Sequence, residues 1–155
     1  MSLVEVELLG LPLDIHRLAT EHNDELLREF ALLAAQQADP SDHDVPARLL
    51  SLGEELQAKY GSFTQGATSE LDAALERGDP SIDLVFVVPG EVAGGVDELN
   101  RILDEADDFC RRGGPLLTLA APPEVVAYRR WFLEEFIRQV EGKPPMPWPG
   151  PAANN

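Results

Sequence analysis

Hydrophobic and polar positions alternate at the start of the chain, where Val4, Val6 and Leu8 are separated by Glu5 and Glu7, which predicts a strand with one buried face. Gly10-Leu11-Pro12 is expected to break that strand. From Asp14 the period changes: Ile15, Leu18, His22, Leu26, Phe30 and Leu33 recur every three or four residues, predicting a helix that runs to about Ala38, ahead of Asp39-Pro40. Asp44 before Val45-Pro46 marks a second helix start. Its apolar positions, Leu49, Leu52, Leu56, Tyr60, Phe63, Ala67, Leu71 and Leu75, hold helical phase through Gly61 and Gly66, which favours one long helix over two.

Asp83–Val88 is a continuous run of β-branched and aromatic residues, the pattern of a strand covered on both faces, and Pro89-Gly90 ends it. Val96, Leu99, Ile102, Leu103, Ala106, Phe109 and Cys110 predict a helix up to Gly113-Gly114. Leu116–Ala120 reads as a third buried strand. Pro122-Pro123 then introduces a last helix, ending at Glu141-Gly142. The order β-α-α-β-α-β-α, with a right-handed crossover over 83–120, predicts an α/β fold with a small, mainly parallel three-stranded sheet and four to five flanking helices. In such a sheet the prolines after each strand line one edge, where ligands of open parallel sheets bind. Residues 1–142 form the expected single domain. Residues 143–155 form a tail with prolines at 144, 145, 147, 149 and 151.

Charge narrows the function. The 155 residues carry 28 acidic and 12 basic side chains, a net charge of −16. With no basic stripe, nucleic acid and anionic membrane are not expected partners. No apolar run approaches the ~20 residues of a membrane span, and the first residues lack the basic and apolar regions of a signal peptide, so a cytoplasmic location is expected. One cysteine forms no internal disulfide.

Chemistry-bearing motifs are few. Pro89-Gly90-Glu91-Val92-Ala93-Gly94-Gly95 lies between strand and helix, where phosphate loops occur, but it has neither phosphate-loop spacing and Glu91 would repel a phosphate. Asp104, Glu105, Asp107 and Asp108 cluster as metal ligands do, yet Asp97/Arg101, Asp107/Arg111 and Asp108/Arg112 are spaced as helix-stabilising ion pairs, which favours a solvated face. His16, His22 and His43 sit in no recognisable site, His22 reading as a core histidine and Cys110 as a packed thiol. No catalytic residue, metal ligand or cofactor site is assigned.

The last helix carries the strongest signal of function. Arg129-Arg130-Trp131 sets two guanidinium groups beside an indole, residue types enriched at binding hot spots, and Trp148 follows in the tail. Arg130/Glu134 and Glu134/Arg138 offer the competing reading of a structural network. Residues 1–123 hold all the excess negative charge, whereas 124–155 carry four acidic and four basic groups. Met146-Pro147-Trp148-Pro149 is either docked by its indole on its own domain or a ligand for another protein.

The segments Leu-Leu-Gly-Leu-Pro at 8–12, His-Asn-Asp-Glu-Leu-Leu-Arg-Glu-Phe at 22–30, Leu-Leu-Thr-Leu-Ala-Ala-Pro-Pro-Glu at 116–124 and Arg-Arg-Trp-Phe-Leu-Glu-Glu-Phe at 129–136 resemble a family of small, acidic, uncharacterised actinobacterial proteins encoded beside anti-sigma-factor kinases, their STAS antagonists and SpoIIE-type phosphatases. The resemblance implies a regulatory role by protein contact, with a sigma-factor regulatory component as partner, and transfers no catalytic residue. The leading expectation is therefore a non-catalytic regulatory or adaptor protein contacting other proteins, or a second copy of itself, through Arg129, Arg130, Trp131 and Trp148. The alternative is a small-molecule sensor or minor enzyme with its pocket at the C-terminal edge of the sheet, lined by Glu91 and the loop around Gly94.

Overall fold

A computed structural model describes residues 2–36, 45–111 and 121–150. Strand β1 (Leu3–Pro12) leads into helix α1 (Leu13–Gln36); helix α2 (Val45–Arg77) returns to strand β2 (Ser81–Pro89), followed by helices α3 (Val92–Arg111) and α4 (Pro123–Val140). The two strands pair antiparallel, Val4 opposite Val88, Val6 opposite Phe86 and Leu8 opposite Leu84. This corrects the expected three-stranded, mainly parallel sheet: the described sheet has two strands, and four helices accompany it. The physical reason lies in the connection. One crossover helix returns the chain to start a parallel strand, but two consecutive helices, α1 and α2, pack as a hairpin and deliver β2 in the opposite direction. The anticipated strand at Leu116–Ala120 lies outside the described residues.

Two further expectations change with the topology. β1 continues through Gly10-Leu11-Pro12 instead of breaking there, because Leu9 and Gly10 together oppose Asp83 as a β-bulge with Gly10 at φ +67°. The extra residue shifts the side-chain alternation, so Leu11 falls on the same buried face as Val6 and Leu8. The Gly10 amide donates to Asp83 Oδ1 at 2.7 Å, tying the bulge to β2. Nor is β2 covered on both faces: Leu84, Phe86 and Val88 are buried, while Val85 and Val87 are exposed. Pro12 and Pro89 sit at opposite ends of the sheet, since Pro12 pairs with Ser81 and Pro89 with Leu3, so the two described strands share no edge of C-termini.

α2 is a single helix of 33 residues, about 50 Å long, running through Gly53, Gly61 and Gly66. Gly95 of α3 lies so close to it that a Cβ there would stand 2.6 Å from Leu56 Cδ2. The core has two lobes. One sits on the inner face of the sheet, where Phe86 meets Phe132 and Phe136 of α4 with ring centroids 6.0 and 5.2 Å away. The other joins α1, α2 and α3 through Leu26, Phe30, Leu49, Leu52, Ile102 and Ala106. Leu56, Leu99 and Leu103 bridge them. Among the described residues, no helix is long and apolar enough to cross a membrane.

Candidate functional site

The inner face of the sheet is not filled completely. The helices leave a cavity of about 570 Å³ between α1, α2, α3, α4 and β2, walled on its apolar side by Leu71, Phe86, Val96, Leu99, Phe132 and Phe136. Gln57, Thr64, Thr68 and Asp72 of α2 supply its polar rim. A second space of about 190 Å³ between α1, α3 and α4 shares His16, Thr20, Leu99, Phe132 and Leu133 with the first, and adds Asn23, Tyr128 and Arg129. His16 and Thr20 reach both spaces because they lie one helical turn apart on α1.

The polar centre of this region is a pair. His16 Nδ1 and Tyr128 Oη are 2.7 Å apart, joining α1 to α4, and the rings meet edge-on at 5.9 Å. The other ring nitrogen of His16 lies 3.4 Å from Thr20 Oγ1. Burial lowers the His16 pKa below its ordinary value, and the Asp72 carboxylate opposes that shift without cancelling it. Burial pushes the Tyr128 phenol far up, so it keeps its proton. At neutral pH the pair is uncharged.

The residues anticipated as partner anchors have other occupations. Arg129 is only 10% exposed: its Nη1 donates to Asp107 Oδ2 at 3.1 Å and its Nη2 to Asp104 Oδ1 at 2.6 Å. Arg130 is exposed and donates to the same Asp104 oxygen at 3.0 Å. Trp131 is buried, its Nε1–H donating to the Met146 carbonyl at 2.9 Å. Trp148 is half-buried against Tyr128 and Trp131, with centroids 6.0 and 5.5 Å away. The indole of Trp148 thus docks the tail on its own domain.

The acidic cluster of α3 is reassigned by these contacts. Asp107, expected on a solvated face beside Arg111, is 4% exposed and accepts from Arg129 and, at 3.3 Å, from the Ala121 amide. Arg111 pairs with Asp108 and Glu105 with Arg48, while Asp97 and Arg101 form the anticipated pair. A similar substitution occurs in α4, where Arg138 pairs with buried Glu135 rather than with Glu134. His22 is half-buried on the apolar stripe. His43, Arg112 and the side chain of Cys110 lie outside the described residues. Among the described residues, no group of three His, Cys, Asp or Glu side chains is placed to hold a metal ion. Glu91 is exposed; with burial, the larger cause, it raises the pKa of the Tyr60 phenol, and Tyr60 borders the cavity.

Sequence reasoning passed over the His16–Tyr128 pair, because its members are 112 positions apart and neither spacing nor motif links them. Asp107 did leave a signal, one turn beyond Leu103 and next to Ala106 on the apolar side of α3. Compared with protein-family models, curated proteins and solved structures, the chain matches none.

Proposed function

We propose that this protein is a non-catalytic small-molecule-binding module, whose ligand occupies the cavity between the four helices and the inner face of the sheet. The cavity itself carries the proposal: about 570 Å³ with mainly apolar walls and a few convergent polar groups falls within the ~300–1,000 Å³ range of ligand sites.

A regulatory role, as the sequence resemblance implies, is supported by the position of α4. One side of this helix lines the cavity through Phe132 and Phe136 and the adjoining smaller space through Tyr128; another carries exposed Arg130. Ligand occupancy is therefore relayed to a protein partner by the setting of α4, with Arg130 and the exposed part of Trp148 as the contact.

The test is equilibrium binding of 2-methylnaphthalene, a fluorescent hydrocarbon, to the purified protein, since apolar cavities accept apolar probes of fitting size. One site per chain and a raised melting temperature are expected. Thr68→Trp, which fills the cavity from its rim, abolishes the effect. Absence of binding, or equal binding by the filled variant, rejects the proposal.

A further inference from the structure

The polar pair restricts what can enter. In a neutral imidazole one ring nitrogen carries hydrogen and the other accepts; the phenol carries one hydrogen. If Tyr128 Oη–H donates to His16 Nδ1, the imidazole Nε2–H is the remaining donor and the phenol oxygen the remaining acceptor. If Nδ1–H donates to the phenol, the roles exchange. In either tautomer the pair offers its surroundings one donor and one acceptor, and Thr20 Oγ1, at 3.4 Å, engages Nε2 only weakly.

The charge around the pair is equally restrictive. Arg129 at the same end is matched by Asp104 and Asp107, with Arg130 also on Asp104, and Asp72 stands on the rim with no ion pair among the described residues. These five groups sum to one negative charge, in a chain whose net charge is −16. An anion is disfavoured by both fields. A cation finds Asp72 only at the exposed rim, where water screens it, and would lose its hydration on the aromatic wall beyond.

Resting on the ligand-binding proposal, we infer that the ligand is an uncharged amphiphile: an aromatic or alicyclic body against Phe86, Phe132 and Phe136, and one hydroxyl or primary amide that reaches past Phe132 into the adjoining smaller space, where it both donates to and accepts from the His16–Tyr128 pair. A carboxylate offers no donor and an alkane neither group.

Four probes of one skeleton test this by fluorescence titration at neutral pH: 2-naphthylmethanol, 2-naphthoate, 2-naphthylmethylammonium and 2-methylnaphthalene. The alcohol is expected to bind about tenfold more tightly than the hydrocarbon, the scale of one net hydrogen bond at its upper range, and more tightly than either ion. Tyr128→Phe should remove the alcohol's advantage while the hydrocarbon still binds; His16→Phe is the second variant should that protein not fold. Equal affinity for alcohol and hydrocarbon overturns the head-group assignment and leaves the cavity proposal standing. Tightest binding by either ion overturns the assignment in favour of a charged ligand. Failure of all four rejects the cavity itself.

Discussion

Burial keeps the His16 imidazole neutral at physiological pH, and this single side chain makes the fold sensitive to acid. Its pKa is lower folded than unfolded, so between those two values the unfolded chain binds more protons and stability falls as pH drops. The loss begins near the ordinary histidine value of ~6.5 and grows until the folded pKa is passed. Urea midpoints measured at pH 7.5 and 5.5 should therefore drop further for the wild type than for His16→Gln; an equal drop in both would show that carboxylates alone set the acid limb. Legibility at this scale followed phase. Phe30, Leu49, Tyr60 and Ile102 were identified as core by helical spacing and are buried. Leu18 was also placed in the core and is exposed, because the buried stripe of α1 passes through Ala19 instead. Small alanines carry too little hydrophobic weight to announce which of two adjacent stripes faces inward.

Between elements, polar groups do work that the sequence assigned elsewhere. Asp107 of α3 and Arg129 of α4 form a nearly dry clamp whose members lie on different helices, so local spacing pointed Asp107 toward Arg111 on its own helix and left Arg129 to be read as a partner anchor. Arg129→Met leaves Asp107 buried without its cation and is expected to cost about 3–5 kcal/mol. Chemical denaturation checks this, and a change under ~1 kcal/mol would place Arg129 outside the structural core. At the other end of α4, buried Glu135 accepts from Arg138 at 2.6 Å and from Gln139 and the Met146 amide at 2.9 Å each. Element existence was readable because helix and strand periods are local properties. The end of β1 was not, since Gly10-Leu11-Pro12 suits a turn as well as a bulge, and only the pairing with Asp83 decides between them.

Across the whole molecule, the order of elements was readable over the described residues, but strand direction was not, because it depends on whether α1 and α2 act as one crossover or as a returning hairpin. The tail closes the assembly. Its Trp148 amide donates to the Leu9 carbonyl at 3.0 Å, and Trp131 holds the Met146 carbonyl. Truncation after Gly142 uncovers Trp131 and Tyr128 and frees these groups, and is expected to lower stability by about 2–4 kcal/mol, from lost aromatic burial and hydrogen bonds together. An unchanged denaturation midpoint would make the tail dispensable to the fold. One further contact gives the tail's neighbour a larger role. Gln139 donates from Nε2 to the Glu7 carbonyl and accepts at Oε1 from the Glu7 amide, both at 2.8 Å, taking the two backbone groups that point away from β2. A side-chain amide here stands where another strand would pair, and Trp148 does the same at Leu9. On this side the sheet is terminated from within, so a second chain can extend it only by evicting both, which blocks fibre-like growth at its first step.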